Sequence, residues 1–277
     1  MVTYNFNPFN PFLLRTCNRF LRNYPESVHN AKVQFWKAEL LYRDKKYREA
    51  LAEYMKVNYL YDGSIYVAPS KLRIADIFTE ELNLHQKAIL TLEEFLVEFP
   101  EDPQAAFAQM RMAQILEKKL KKPLDALNTY LAVADKYPKS LEAVPSLFEA
   151  ARIYEKKFKE YEKAVEVYLK VVNDFSTDLK APFALAEAGR IYEDQLKNYS
   201  KAAEIYEQIF EKYPKSDLAA RYLYKAAEIY EKKLNKLEKA LTLYRKVVDN
   251  YSNSDIAKKA SKKIEKLSEK MEKAEKK

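Results

Sequence analysis

The sequence predicts an all-α protein built from repeated pairs of antiparallel helices, and composition and periodicity are the two observations behind that prediction. The helix-forming residues Ala, Leu, Glu and Lys dominate the 277-residue chain. Glycine occurs only at Gly63 and Gly189. This scarcity excludes most architectures that need tight turns with positive φ. Short stretches recur at an interval of 38 residues, as in "YPKSLEAV" at 137–144 and "YPKSDLAA" at 213–220. Self-similarity at a fixed period is the signature of a repeat protein.

The recurring octet marks the boundary between successive units. An aromatic residue opens it at intervals of 37 and then 38 residues: Tyr24, Tyr61, Phe99, Tyr137, Phe175, Tyr213 and Tyr251. Three residues later stands a residue suited to capping a helix: Ser27, Ser64, Asp102, Ser140, Asp178, Ser216 and Ser254. We therefore expect the first helix of each unit, helix A, to begin at the Ser or Asp. Proline after the aromatic disfavours helical backbone, so the Tyr-Pro step should end the second helix, helix B.

Two further series predict how the helices of one unit pack together. Small residues recur on helix A at Ala38, Ala75, Ala113, Ala151, Gly189 and Ala227, where two helices can approach closely. Helix B carries Ala50, Ala88, Ala126, Ala164, Ala202 and Ala240, each followed four residues later by Tyr or, once, Leu92. A short polar turn joins the two helices. Because one pair cannot bury its apolar face alone, neighbouring pairs must stack.

The pattern of small and aromatic residues resembles the tetratricopeptide repeat (TPR). The first unit shows it best, with Ala38, Leu41, Tyr47, Ala50 and Tyr54. The resemblance implies a right-handed superhelical solenoid that binds partners along a concave face lined by helix A. The 38-residue units with "YPxSxxA" linkers are similar to those of bacterial envelope TPR proteins, namely the periplasmic Tol-Pal-associated coordinator family and the outer-membrane assembly lipoprotein. This similarity implies a role in the cell envelope.

The repeats divide the chain into three segments. Residues 1–24 are expected to hold an irregular stretch and an orphan helix, a half-repeat that either caps the end or continues a natural protein extending upstream. Six TPR-like pairs follow over 25–252, and a Lys-rich capping helix and tail over 253–277. The N-terminus shows no recognisable leader. We expect a periplasmic location if a leader has been trimmed, and a cytoplasmic one otherwise.

No residue pattern predicts catalysis, a metal site or a cofactor. His29 and His85 lack metal-ligand spacing, Cys17 stands alone, and two glycines cannot form a phosphate loop. The chain is therefore expected not to be an enzyme. No apolar run is long enough to cross a membrane. Half of the net charge of +8 lies in the last 23 residues, which leaves a nearly balanced body and argues against nucleic-acid binding.

In TPR proteins, fixed positions of helix A line the concave face. The residues at those positions in each repeat of this chain predict a partner-binding groove. Its apolar row comprises Phe35, Leu72, Met110, Phe148, Ala186 and Tyr224. Beside it stand four arginines able to hold carboxylates: Arg73, Arg111, Arg152 and Arg190. The alternatives are that several members of the row belong to the core, and that the arginines pair with nearby glutamates such as Glu117 or Glu155.

These observations predict a non-catalytic scaffold that binds a protein or peptide partner in the groove. One alternative is a structural protein that self-associates through its N-terminal half-repeat into a homo-oligomer. Another is a membrane-surface adaptor acting through the Lys-rich tail, although its interleaved glutamates make a solvated capping helix the simpler interpretation.

Overall fold

A computed structural model describes residues 10–275 of the chain, and side chains over residues 10–273. Regular structure in this part is entirely helical, which confirms the predicted all-α class. The helices are α1 (Asn10–Asn23), α2 (Asn30–Arg43), α3 (Tyr47–Leu60), α4 (Val67–Asp76), α5 (His85–Glu98), α6 (Ala105–Lys118), α7 (Pro123–Lys136), α8 (Ala143–Ile153), α9 (Tyr161–Asp174), α10 (Ala181–Asp194), α11 (Tyr199–Lys212), α12 (Ala219–Lys232), α13 (Leu237–Asn250) and α14 (Asp255–Glu275). Two π-helical turns, Ile77–Glu81 and Tyr154–Phe158, continue α4 and α8.

The chain divides into two compact units, one ending at Glu142 and the other beginning at Ala143. In the N-terminal unit each of α1 to α6 packs against the next helix, which ends the series at α7. In the C-terminal unit the same holds for α8 to α14, and α14 also reaches α12. This consecutive packing of helix pairs is what the sequence periodicity predicts.

The two small-residue series lie where the helices of a pair approach each other. All six alanines of the helix B series have no exposed surface, and the aromatic or Leu four residues later is buried in every unit. At Gly189 the approach leaves no room for a side chain, since a Cβ there would lie 2.4 Å from Cε1 of Tyr206. The predicted crossing contact is therefore present, and at Gly189 it requires the absence of a side chain.

Helix B ends at the predicted place in every repeat. Each helix B stops one residue before the recurring aromatic, whose N–H donates to the carbonyl oxygen four residues back, as from Tyr61 to Val57. Yet α3, α9 and α13 end there although Asp62, Ser176 and Ser252 replace the proline. Helix B therefore ends before the recurring aromatic with or without proline, and proline only reinforces this end.

The predicted start of helix A is wrong by three residues in the six repeats. The α-helix begins at Asn30 rather than Ser27, and likewise in the later units. The intervening residues form a tight turn, and in five of the six repeats the Ser or Asp side chain accepts a hydrogen bond within it, as from the N–H of Gln104 to Oδ1 of Asp102 (2.7 Å). The capping chemistry was expected, but here it satisfies a turn that precedes the helix. Only α14 starts directly after its serine, Ser254.

The turns between helix A and helix B contradict our inference from the scarcity of glycine. Each turn contains one left-handed residue with φ between 50° and 60°: Lys45, Asn83, Lys121, Lys159, Lys197 and Asn235. They recur at 38-residue intervals, and neither glycine has positive φ. Non-glycine residues adopt this conformation at a modest energetic cost, so the tertiary packing must impose it.

The described ends of the chain are both helical. Helix α1 packs against α2, whereas the irregular part of the predicted N-terminal segment lies outside the described residues. Helix α14 buries Ala257, Ala260 and Leu267, and Lys263 pairs with Glu231 of α12 at 2.9 Å. Among the described helices, none combines the length and apolar character needed to cross a bilayer.

Candidate interaction surface

The predicted apolar row lies on successive helices A, and its members are only partly exposed. Phe35, Leu72 and Met110 lie on α2, α4 and α6 of the N-terminal unit and are half-buried. In the C-terminal unit, α8 and α12 carry Phe148 and Tyr224, which are also half-buried. Ala186 on α10 is the exception, because it is fully buried and offers a partner no side chain.

The aromatic members of the row pack one face against the core. The rings of Phe148 and Tyr168 have centroids 5.3 Å apart in an edge-on arrangement. Phe35 and Tyr54 are 5.7 Å apart, and Tyr224 contacts the ring of Tyr244 at 5.2 Å. Such contacts restrain the ring rotamers. The row therefore presents preorganised half-exposed rings, each held by the buried tyrosine of its own repeat.

The two arginines of the N-terminal unit are paired with carboxylates. Arg73 donates to both oxygens of Glu39, at 2.8 and 3.4 Å, and Glu39 also accepts a hydrogen bond from the Tyr54 hydroxyl at 2.5 Å. Arg111 lies 2.9 Å from Glu80 and 3.3 Å from Asp76. The alternative of intramolecular pairing therefore describes both residues.

The arginines of the C-terminal unit are paired in the same way. Arg190 bridges Glu155 and Glu187, each at 2.8 Å, and Arg152 donates to Glu149 at 2.7 Å. The Glu155 side chain is only 3% exposed. Burial by itself would raise its pKa, but hydrogen bonds from Arg190 and Lys156 outweigh that effect and hold the pKa of Glu155 below its usual value. Glu155 therefore stays ionised and neutralises Arg190.

Sequence reasoning named Glu117 and Glu155 singly and missed the acidic series to which they belong. Glutamates recur at 38-residue spacing near the end of helix A: Glu117, Glu155, Glu193 and Glu231. In the last two repeats the glutamate accepts a hydrogen bond from the buried helix B tyrosine, Tyr206 at 2.9 Å and Tyr244 at 2.7 Å. It also pairs with a lysine two helices further along the chain, Lys225 of α12 or Lys263 of α14. The spacing alone could have revealed the series.

The tyrosine hydroxyls of this network are held neutral. Burial, together with the carboxylates of Glu193 and Glu231, raises the pKa of Tyr206 and Tyr244 far above the ordinary value. They act as hydrogen-bond donors that tie helix B to helix A. Across the described side chains, no group of three or more His, Cys, Asp or Glu residues could hold a metal ion. The arrangement is thus an apolar surface beside internally balanced charges, suited to contact with another macromolecule.

Comparisons with known proteins identify the repeat. A family model described as tetratricopeptide repeat matches residues 107–140, 146–178, 184–216 and 221–254. A search of curated proteins gave no match by sequence. TPR proteins in general are non-catalytic scaffolds that bind protein partners.

The chain is also similar to solved structures at low sequence identity. The chain resembles Naa15/Naa10 bound to HypK-THB, with 16% identity and a TM-score of 0.50 over 94% of this chain and 39% of that one. A tetratricopeptide repeat protein from Parabacteroides merdae is 17% identical, with a TM-score of 0.42 over 92% and 98% of the two chains. YrrB, a TPR protein with an unusual peptide-binding site, is 18% identical, with a TM-score of 0.45 over 74% and 97%.

The helix pairs, the alanine and tyrosine registers and the family match all describe one repeat. The tetratricopeptide repeat model thus matches four segments between residues 107 and 254, and each segment covers one helix B and most of one helix A.

Proposed function

We propose that the protein is a non-catalytic scaffold that binds a peptide or an exposed segment of a partner protein on the helix A face of its repeats. The observation that carries the proposal is the row of half-exposed rings and Met110, held in place from behind by buried tyrosines. A surface whose rotamers are already fixed loses little conformational entropy on binding. The N-terminal unit offers Phe35, Leu72 and Met110, and the C-terminal unit offers Phe148 and Tyr224.

Charge pairing decides what the arginines contribute to this surface. Because Arg111 and Arg152 already pair with acidic side chains, a partner carboxylate must displace one of these to bind them. Exchange between two carboxylates changes little in net energy. We therefore assign affinity to the apolar row, with Phe35, Leu72, Met110, Phe148 and Tyr224 as anchors. We assign the orientation of the bound partner segment to four arginines: Arg73, Arg111, Arg152 and Arg190.

Site-directed photo-crosslinking in the native cell tests this proposal. A photoreactive phenylalanine derivative replaces Phe148 in one variant and Tyr224 in another, and the crosslinked proteins are identified by mass spectrometry. The control places the same residue at Leu179, which is exposed on a linker. We expect one partner to crosslink at both row positions and not at the control. Equal crosslinking at all three positions would contradict a specific site.

Self-association is a second candidate function, favoured by the exposure of α1. Among the residues of that helix only Asn10 is buried, whereas Phe12 and Leu13 are exposed. A second copy could cover them. Sedimentation velocity over a range of protein concentrations tests this. Association should be present in the wild type and lost on Phe12→Glu, while the crosslinking at Phe148 stays unchanged.

The linker resemblance supports the cell envelope as the setting of this function. Fractionation of the native organism tests it, because recovery of the protein only with cytoplasmic markers would contradict the assignment.

A further inference from the structure

Two helices B of the N-terminal unit expose large apolar side chains where other repeats are polar. Tyr59 on α3 is 86% exposed and Val97 on α5 is 80% exposed. They occupy the same register, 38 residues apart. The corresponding residues of the remaining repeats are Asp135, Asn173, Glu211 and Asp249. The repeat therefore does not require an apolar residue at this position, and its exposure is specific to the first two repeats.

Each of these residues belongs to an apolar stripe on its own helix. Met55 lies four residues before Tyr59, and Leu90 lies seven before Val97, so each pair shares a helix face. Both are exposed. At the register of Leu90, repeats 3 to 6 carry hydrophilic residues: Asn128, Glu166, Glu204 and Thr242. Two stripes of this kind are more than scattered exposed side chains, which would need no explanation.

Grooves lie on both sides of α5. One, of about 280 Å³, runs between α3 and α5, with Met55 and Tyr59 on one side and Lys71 and Ile74 of α4 between the helices. The other, of about 360 Å³, runs between α5 and α7 and includes Leu96, Val97, Gln109, Met112 and Ala132. The exposed stripes thus border concave spaces that apolar side chains can enter.

The surroundings of the stripes are acidic. Residues 88–110 contain five acidic residues and no Lys or Arg: Glu93, Glu94, Glu98, Glu101 and Asp102. Glu93, Glu94 and Glu98 are exposed on α5 beside Val97. Lys71 compensates part of this charge through ion pairs with Glu94 and Glu98, and Lys136 borders the second groove. Around Val97 the three exposed carboxylates of α5 outnumber these two lysines, which leaves this part of the surface negative.

We propose that this face, defined by Met55, Tyr59, Leu90 and Val97, is a second interaction surface that binds a basic amphipathic segment of a partner protein. Apolar side chains of the segment enter the grooves on either side of α5, and its Lys or Arg residues contact the carboxylates of α5. Charge complementarity selects this occupant. Anionic lipid would be repelled by the same carboxylates.

The Lys-rich helix α14 of a second copy fits less well. Its apolar face is already turned to its own unit, with Ala257, Ala260 and Leu267 buried and Ile256, Ile264 and Met271 half-buried. It offers lysines without a free apolar stripe. The surface is also separate from the row of the proposed function, which lies on helices A, so substitutions can distinguish the two.

Binding of a designed peptide tests the proposal with the full chain. The probe is a fluorescent amphipathic helix of roughly 18 residues, about five turns, made of Leu and Lys. We expect saturable binding that weakens with added salt. The substitutions Tyr59→Glu and Val97→Asp, which introduce residues that other repeats carry at this register, should together reduce affinity by at least about tenfold. The matched control is Leu179→Asp, which removes an exposed apolar residue of the C-terminal unit, and it should leave affinity unchanged.

Several outcomes would overturn the proposal. These are the absence of saturable binding, equal binding of a Leu and Glu peptide, and unchanged affinity in the double variant. Self-association of the wild type that the same two substitutions abolish would assign the face to a second copy instead. The thermal unfolding midpoint shows whether the variant folds. The Phe148→Ala variant changes the row of the proposed function and should retain peptide binding. It therefore distinguishes binding at this second surface from binding at the row.

Discussion

The first three repeats and the last three share one register but differ in what they bury between helix A and helix B. One helix A position is polar in the N-terminal unit and leucine in the C-terminal unit: Gln34, Lys71 and Gln109 against Leu147, Leu185 and Leu223. All six are buried. A helix B position changes in parallel: Glu53, Thr91 and Thr129 against Val167, Ile205 and Leu243.

The buried polar residues of the N-terminal unit have local partners. Gln34 donates to the Glu53 carboxylate, and Gln109 donates to the backbone carbonyl of Thr129 at 3.4 Å. Lys71 reaches outward to Glu98 at 2.9 Å. The helix pair therefore forms with either polar or apolar residues between its helices. The recurring alanines and tyrosines are sufficient to define it. A polar interior stabilises less, since desolvation offsets much of the gain from its hydrogen bonds.

The largest expected effect comes from giving a C-terminal repeat the polar chemistry of the N-terminal ones. Leu185 has no exposed surface, so Leu185→Gln loses the burial of a leucine side chain and must desolvate an amide. We expect the free energy of unfolding to fall by about 3 kcal/mol, measured by urea denaturation. Leu179→Gln on the exposed linker serves as the control. A loss below about 1 kcal/mol would show that the two interiors are interchangeable.

A substitution at Gly189 tests the close approach of α10 and α11 in the C-terminal unit. Gly189→Ala places a methyl group against the buried ring of Tyr206, although alanine itself favours a helix. We expect a net loss of about 1–2 kcal/mol in unfolding free energy. Adding Tyr206→Leu, which mimics the Leu92 register of repeat 2, should relieve part of the clash. Stabilisation by Gly189→Ala alone would mean that the ring moves freely.

The reverse exchange in the N-terminal unit should have a smaller effect of opposite sign. Oε1 of Gln109 is buried without a hydrogen-bond partner, so Gln109→Leu removes a buried polar atom. We expect a gain of about 1 kcal/mol in the urea unfolding free energy. Gln104→Leu, at an exposed position before α6, controls for a general effect of added leucine. A loss of stability would show that the polar interior is better packed than leucine would be.

The smallest expected effect is a pH dependence specific to Glu53. Burial would raise its pKa, but hydrogen bonds from Lys56, Lys37 and Gln34 outweigh it and lower the pKa below the ordinary 4.5. A lowered carboxyl pKa contributes stability that is present above pH 4.5 and is lost as the pH falls through the folded-state value. The difference in unfolding free energy between wild type and Glu53→Gln should therefore shrink between about pH 5 and pH 3. The exposed Glu26→Gln variant should show no such change, and a constant difference for Glu53→Gln would exclude this origin.

Much of the fold could be predicted from spacing. The helices, their pairing and the aromatic that ends each helix B follow from residues that repeat every 38 positions, because every unit must meet its neighbours in the same way. The apolar row lies on helices A as expected, and the burial of Ala186 agrees with the alternative that members of the row belong to the core. Whether a ring such as Phe148 is core or surface depends on its contact with Tyr168, which spacing does not describe.

By itself, the sequence determined the repeat, its helical class and the residues that allow close helix approach. Only the tertiary structure decided the left-handed turns, the late start of helix A and the partners of the charged side chains. The reason is that the first set of features depends on local sequence and the second on contacts between helices. Helix formation and close packing depend on residue type at a given register, whereas Arg190 meets Glu155 and Lys159 adopts positive φ only after neighbouring helices have been brought together.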